Sequence, residues 1–146
     1  MPDPTRRSTE KEATLLAFDF GTKRIGVAVG ELILRQAHPL TTIHSQSNEE
    51  KFSAIAALID EWKPKRLVVG LPLALDGSAH EMTARCTRFA NQLRGRFCLP
   101  VDFAEERLSS VEAQERLQSA GATKNHDKLD ALAAQVILEA YFEQGH

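Results

Sequence analysis

Short apolar runs alternate with longer amphipathic stretches along this chain, and the first two runs predict a β-hairpin. Residues 15–18 and 25–29 are apolar, each run has the length of a strand, and the second is rich in β-branched residues. A short polar turn separates them, and Gly21 and Gly26 permit a tight reversal or a close approach of backbone. A third strand is expected at residues 38–44.

The rest of the chain predicts helices that alternate with two buried strands. Large apolar residues recur at helical spacing and form one face of a first helix, which Pro64 stops. These residues are Phe52, Ile55, Ile59 and Trp62. The later elements are, in order, a strand at 66–70 that ends at Gly70-Leu71-Pro72, a helix from about Ser78 to Arg94, a strand at 100–104 that leads into Glu105-Glu106-Arg107, a helix from Ser109 or Ser110 to Leu117, and a last helix from near Asp127.

The order β-β-β-α-β-α-β-α-α predicts an α/β fold built on a central mixed sheet of five strands. Three hairpin-linked strands are antiparallel, whereas right-handed crossovers make the later strands parallel to the first. Helices then flank the sheet on its faces. In sheets of this kind, chemistry collects at the carboxyl ends of the parallel strands.

Length and composition indicate one globular domain. The chain has 146 residues, of which 42% are hydrophobic and 26% charged. Residues 1–13 are polar and are expected to be a disordered extension, with a single domain at 14–146. No apolar run approaches the roughly 18 residues of a membrane span, and two cysteines make no disulfide framework, so a cytoplasmic protein without a membrane partner is expected. The net charge of −2 requires any nucleic-acid binding to use a local basic face.

Acidic residues lie at the predicted carboxyl ends of strands. Asp19 closes the first strand, Glu105 and Glu106 close the last one, and Asp127 and Asp130 begin the last helix. Carboxylates that converge repel each other unless a cation neutralises them, and hard oxygen ligands suit Mg²⁺ or Mn²⁺. Two such ions about 3.5–4 Å apart promote phosphodiester hydrolysis. Spacing alone leaves each acid open to the alternative of a solvated surface charge.

Basic residues add a second half to this pattern. Lys23 and Arg24 follow Asp19 in the turn, and Arg107 follows Glu106 directly. Further arginines are clustered on and after the second predicted helix: Arg85, Arg88, Arg94 and Arg96. Such groups hold phosphates in nucleic-acid enzymes, and Lys23, Arg24, Arg85 and Arg107 are our candidates for substrate binding. The alternative is a solvated helix face with local ion pairs.

Four ordered motifs resemble the YqgF family, the bacterial Holliday-junction-resolvase-like proteins that are also described as pre-16S ribosomal RNA nucleases. The motifs are Ala17-Phe18-Asp19-Phe20-Gly21-Thr22-Lys23-Arg24-Ile25-Gly26-Val27-Ala28, then Val68-Val69-Gly70-Leu71-Pro72-Leu73 with Asp76-Gly77, then Glu106-Arg107-Leu108-Ser109-Ser110, and then Lys128-Leu129-Asp130 with Ala133-Ala134 and Ile137-Leu138. They extend over about residues 14–142, nearly the whole chain.

This resemblance implies a ribonuclease H-like fold and a nuclease that needs a divalent metal and matures the end of ribosomal RNA. The acids of the family fall on Asp19, Glu106 and Asp130, which would therefore be both catalytic and metal-binding. Lys23 and Arg107 fall on its basic positions. Glu105 departs from the family pattern, in which aspartate is commoner at that place. Junction-resolving relatives act as dimers, so the resemblance allows a weak homodimer, and the sequence leaves the oligomeric state open.

Three other functions stay open on the sequence. A DNA nuclease of the junction-resolving kind would use the same acids. The Asp-x-Gly-Thr turn at Asp19 also occurs in actin-like ATPases and sugar kinases, but their sites lie between two such domains and this chain supplies one. A module that binds ribosomal RNA, a DNA junction or a processing enzyme without cutting is the third. The hypothesis we carry forward is metal-dependent hydrolysis of a nucleic acid, with precursor ribosomal RNA favoured over a DNA junction.

Overall fold

The computed structural model describes residues 14–21, 23–44, 47–73, 81–107 and 126–144. Within them lie five strands, which are β1 (Thr14–Phe20), β2 (Arg24–Glu31), β3 (Gln36–His44), β4 (Arg66–Leu73) and β5 (Val101–Arg107). The helices are α1 (Asn48–Trp62), α2 (Glu81–Phe97) and α3 (His126–Glu143). The predicted order of these elements is confirmed. The extension predicted at 1–13 and the helix predicted from Ser109 or Ser110 to Leu117 lie outside the described residues.

The strands form one mixed sheet in the order β3-β2-β1-β4-β5. The pairs β1–β2 and β2–β3 are antiparallel, and the pairs β1–β4 and β4–β5 are parallel. This is the predicted arrangement of three antiparallel strands followed by parallel ones. The carboxyl ends of β1, β4 and β5 consequently lie at the same edge of the sheet.

Alternation along β1 divides the core between the two faces of the sheet. Leu16 and Phe18 pack into a cluster with α1 and α2, whereas Leu15 and Ala17 pack into a cluster with α3. All four side chains are buried. The helices contribute their large apolar residues to these clusters, Phe52, Ile55, Phe89 and Leu93 on one face and Ile137, Leu138 and Tyr141 on the other.

Glycines on the sheet let α3 lie unusually close to it. A Cβ atom at Gly26 would stand 1.9 Å from the carbonyl oxygen of Asp130, and one at Gly30 would stand 2.6 Å from Cδ2 of Leu138. At Gly26 the obstacle is backbone of the helix, so α3 rests directly on the backbone of β2 there, whereas at Gly30 the nearest helix atom is the tip of the Leu138 side chain. The close approach that the sequence allowed at Gly26 is therefore confirmed, and its partner is the helix.

Polar contacts fix the far end of α3 at the opposite edge of the sheet. The hydroxyl of Tyr141 donates to Oδ2 of Asp102 at 2.7 Å and accepts from Nη1 of Arg66 at 2.8 Å. Arg66 and Asp102 lie at the starts of β4 and β5. The start of α3 must therefore lie towards the carboxyl ends of the parallel strands.

Some predicted boundaries were wrong. β4 continues to Leu73 and does not end at Gly70, since Pro72 pairs with Glu106 of β5. The register between β1 and β4 ends at Phe18↔Val69, so Pro72 has a neighbouring strand on one side and its missing N–H costs no bond to β1.

The helix α2 also runs beyond its predicted end at Arg94. It is described from Glu81 and continues three residues past Arg94 to Phe97. Cys98 then adopts a left-handed backbone with φ of 55°, and its N–H bonds to the carbonyl of Arg94 at 3.0 Å. Ser78 lies outside the described residues. No helix in the described ranges is long and apolar enough to cross a membrane.

Candidate active site

Asp19 lies near the carboxyl end of β1 and shares the sheet face of α3. It follows Leu15 and Ala17 by the strand period of two, and both of those side chains pack against α3. Its register partner on β2 is Gly26. Asp19 is partly exposed to solvent.

Asp130 is delivered to the same place by the first turns of α3. Its carbonyl oxygen lies against Gly26, the residue opposite Asp19, so the two aspartates flank one glycine. The carboxylate of Asp130 accepts a hydrogen bond from Nε of Arg24 through Oδ2 at 2.6 Å. The Arg24 and Asp130 side chains are 34% and 23% exposed, and a charge-assisted bond of this length fixes the orientation of the carboxylate.

The register of β5 separates Glu106 from Glu105. Ala104 pairs with Gly70 and belongs to the cluster on the α3 face, and Glu106 follows it by two residues, opposite Pro72. Position 106 is therefore on the face of Asp19, and Glu105, which is exposed, is on the other face. The side chains of Glu106 and Arg107 lie outside the described part of the structure, as does that of Asp127.

The predicted basic residues divide between two places. Arg24 binds Asp130, and the exposed Lys23 precedes it in the turn, which closes with a bond from the Gly21 N–H to the Arg24 carbonyl at 3.0 Å. Arg85 lies on α2, across the sheet, and its guanidinium binds Glu81 at 3.0 Å on an exposed helix surface. The structure thus brings Arg24 to the acids and does not bring Arg85 to them.

The described part of this site offers oxygen ligands to a cation. No group of three or more His, Cys, Asp or Glu side chains that could hold a metal ion is found among the described residues, which do not include the side chain of Glu106. The oxygen-only donor set of Asp19 and Asp130 fits a hard divalent cation. Burial and, second, the charge of Asp19 raise the pKa of Cys86 to about 11, so this cysteine remains a protonated thiol.

Sequence reasoning missed a cation on the other face of the sheet. Lys51 of α1 places its ammonium over the rings of Phe20, Phe52 and Phe89. Phe20 directly follows Asp19, so this lysine lies near the same edge of the sheet as the acids. The helical pattern marked the apolar face of α1 and gave no signal for the lysine next to it.

Comparison with solved structures defines the class of protein. Thermus thermophilus RuvC, solved in complex with a Holliday junction substrate, has a TM-score of 0.53 and 13% identity, with 92% of this chain and 97% of that chain covered. The fowlpox virus Holliday junction resolvase has a TM-score of 0.55 and 11% identity, with 90% and 99% covered. At these identities the likeness shows the fold, which is the ribonuclease H-like fold of the RuvC-type resolvases.

Sequence comparison then gives the family. Residues 13–144 match the family model described as RuvX: Holliday junction resolvase. A protein of Dechloromonas aromatica is 56% identical over 135 residues (91% of this chain, 92% of that protein), and one of Methylobacillus flagellatus is 50% identical over 145 residues (98% and 97%). Both are named as pre-16S rRNA nucleases. The chain belongs to the RuvX family, and it is a nuclease, a hydrolase acting on ester bonds.

Proposed function

We propose that this protein hydrolyses phosphodiester bonds of precursor 16S ribosomal RNA with the help of Mg²⁺ or Mn²⁺. The observation that carries the proposal is the meeting of Asp19 and Asp130 around Gly26, at the edge where the parallel strands end. The names of the relatives from Dechloromonas aromatica and Methylobacillus flagellatus support this substrate. We place the activity in the cytoplasm and assign it to a single domain of residues 14–146, with 1–13 as an extension.

The metal would be held by Asp19, Glu106 and Asp130. When bound, such an ion lowers the pKa of a water molecule and neutralises charge that develops on phosphate oxygens. Arg24 donates to Oδ2 of Asp130, which would leave Oδ1 available to a bound cation. The hydrogen bond from Arg24 therefore helps to orient the carboxylate of Asp130.

The basic residues divide the handling of substrate. Lys23, exposed in the turn next to Asp19, and Arg107, which follows Glu106, would position phosphate oxygens at the cleavage point. Arg24 reaches substrate only if it shares its guanidinium between Asp130 and a phosphate. Arg85, on the far face of the sheet, would contact a more distant part of the nucleic acid.

A second candidate is cleavage of a DNA four-way junction. It is favoured by the description of the family and by the likeness to the junction-resolving folds of RuvC and the fowlpox enzyme. A four-way junction has two equivalent strands to cut, so this activity would also call for a homodimer. A weak homodimer is therefore part of this second proposal.

The test is a panel of labelled substrates offered to the purified protein in Mg²⁺, in Mn²⁺ and in EDTA. The panel holds a precursor 16S ribosomal RNA end, a mature end, a DNA duplex and a four-way DNA junction. We expect cleavage of the precursor end that depends on metal and spares the mature end. Cleavage of the junction alone would favour the second candidate, and binding without cleavage of any substrate would contradict both.

A further inference from the structure

The ammonium of Lys51 lies among three aromatic rings on the face of the sheet opposite the acids. Its ammonium lies 5.2 Å, 5.3 Å and 5.8 Å from the ring centroids of Phe20, Phe52 and Phe89. Ring faces attract cations, and three rings restrain the long side chain to one position. The charge of Lys51 is thus fixed in space before any ligand arrives.

A second cation lies against one of these three rings. The guanidinium carbon of Arg96 is 4.1 Å from the centroid of Phe52, on which Lys51 also lies. No carboxylate within the described ranges forms an ion pair with Lys51 or Arg96. Burial and, second, the charge of Arg96 lower the pKa of Lys51. A bound anion would relieve the repulsion between these two cations.

Lys51 lines a cleft between α1 and α2. The cleft has a volume of about 510 Å³ and is lined by three cations and one acid, together with polar and apolar groups. The charged residues are Lys51, Arg85, Arg88 and Glu81. In a chain whose net charge is −2, this is a local excess of positive charge.

The position of the cleft relates it to the acids. Phe20 lines the cleft, and the residue before it is Asp19. Because alternation turns these neighbours to opposite faces, the cleft and the acids lie on the two sides of one sheet edge. A polyanion that crosses this edge would meet the acids on one side and the cations on the other.

We propose that this α1–α2 cleft binds the sugar-phosphate backbone of a nucleic-acid strand beyond the cleavage point. The proposal rests on the proposed function, since it extends the path of the same substrate. Phosphates are the recognised groups, and bases are not, because Phe89 is buried and Lys51 covers the ring faces on which bases would otherwise stack. The contact is therefore independent of base sequence.

The experiment measures binding of a short labelled oligouridylate in EDTA, between about 50 and 200 mM salt. The variants are Lys51→Met, which keeps the apolar stem, and Arg88→Gln, on the exposed surface of α2. Lys65→Met is the matched control, since the exposed Lys65 precedes β4 at the opposite edge of the sheet. Melting curves of each variant check that it is folded.

The logarithm of the association constant falls linearly with the logarithm of the salt concentration, and loss of one phosphate contact should make this slope shallower by roughly 0.7. Extrapolated from 1 M salt, that difference is about fivefold in affinity at 100 mM salt. We expect this change in Lys51→Met and in Arg88→Gln and none in Lys65→Met. The proposal is overturned if both cleft variants keep the wild-type slope, or if Lys65→Met lowers it equally.

The binding experiment is independent of cleavage. A protein that cuts no substrate in metal but shows the expected slopes would remove the proposed function and leave the cleft supported. Cleavage of the precursor end by the wild-type protein, together with wild-type slopes in both cleft variants, would support the proposed function and overturn the proposed role of the cleft.

Discussion

Gly26 determines how closely α3 approaches the strand that carries Asp19. The helix carbonyl at Asp130 occupies the space that a side chain at position 26 would need. No rotamer relieves a clash between a Cβ atom and backbone, so any other residue must displace the helix. The absence of a side chain at Gly26 therefore allows α3 to bring Asp130 close to the strand that carries Asp19.

Replacement of Gly26 by alanine should lower both stability and activity. We expect a loss of about 1–3 kcal/mol in the free energy of unfolding from overpacking, measured by urea unfolding, together with a fall in the cleavage rate. Gly95→Ala is the matched control, because nothing lies within 4 Å of its Cβ position in α2. That change should add about 0.5–1 kcal/mol of stability by helix propensity, and equal stability of the two variants would contradict the packing argument.

The two cysteines should react very differently with alkylating reagents. Cys86 is 2% exposed and its pKa is raised to about 11, so it is buried and remains protonated at neutral pH. Cys98 is exposed at the end of α2. We expect one fast thiol per folded chain in a labelling time course, and Cys98→Ser should abolish it. Fast labelling of Cys86 in the folded protein would show that its burial is wrong.

At the scale of elements, the alternation of β5 distinguishes two adjacent glutamates. Glu106 has the register of the face on which Asp19 and Asp130 meet, and Glu105 has that of the opposite face. We expect Glu106→Gln to lower the cleavage rate by more than about 100-fold if Glu106 is the proposed direct metal ligand, since losing a ligand should cost more than losing a group that supports one. Glu105→Gln, the matched control, should keep most of the wild-type rate. An inversion of the two results would place the third ligand on the other face.

The far end of α3 depends on Tyr141, the one tyrosine of the chain. Burial and, second, its hydrogen bond to Asp102 raise the pKa of this phenol above its ordinary value near 10. The folded state therefore holds the proton more tightly than the unfolded state, and this contribution to stability is complete below about pH 10 and is lost as pH rises through the folded pKa.

An ultraviolet titration of Tyr141 checks this directly. The pKa of the phenol should lie above its ordinary value in the folded protein and should be about 10 in urea. Tyr141→Phe should lower the free energy of unfolding by about 0.5–1.5 kcal/mol at neutral pH and remove this part of the alkaline dependence. Identical midpoints in buffer and urea would contradict the hydrogen-bonded position of the residue.

Periodicity predicted the elements better than it predicted their ends. The alternating runs correctly gave five strands and their order along the chain, because side-chain burial on a sheet leaves a direct mark on sequence. The sequence predicts the end of a strand at Pro72, but β4 continues through it because the pairing of β4 with β1 has already ended at Phe18↔Val69. Whether Pro72 fits within β4 therefore depends on where β1 stops pairing, and β1 is distant in the sequence.

Part of the candidate site could also be predicted, because some of its residues leave a local mark on the sequence. Asp19 interrupts an apolar strand, which is a local signal, and the close approach at Gly26 was also expected. The pairing of Arg24 with Asp130 joins residues 106 positions apart and leaves no local mark. Lys51 depends on rings from three separate elements, so only the folded chain reveals it.

At the scale of the whole molecule, the proposed catalytic acids and the cleft cations lie on opposite faces of one edge of the sheet. The acids lie with α3 on one face, and the cations of the α1–α2 cleft lie on the other. A net charge of −2 does not attract nucleic acid to the whole surface, so binding must depend on such local groups. We therefore expect the acids to act in catalysis and the cleft cations to act in binding.

The role of Asp19 at the edge of the sheet is tested by the metal-dependent cleavage rate of Asp19→Asn beside that of wild type. The substitution keeps the size of the side chain and removes the charge, so the melting curve should show a folded protein. We predict a rate lower by at least about 100-fold in Mg²⁺ or Mn²⁺, since Asp19 is a proposed direct ligand of the metal. Cleavage by the pure variant at the wild-type rate would contradict the assignment of this edge of the sheet as the active site.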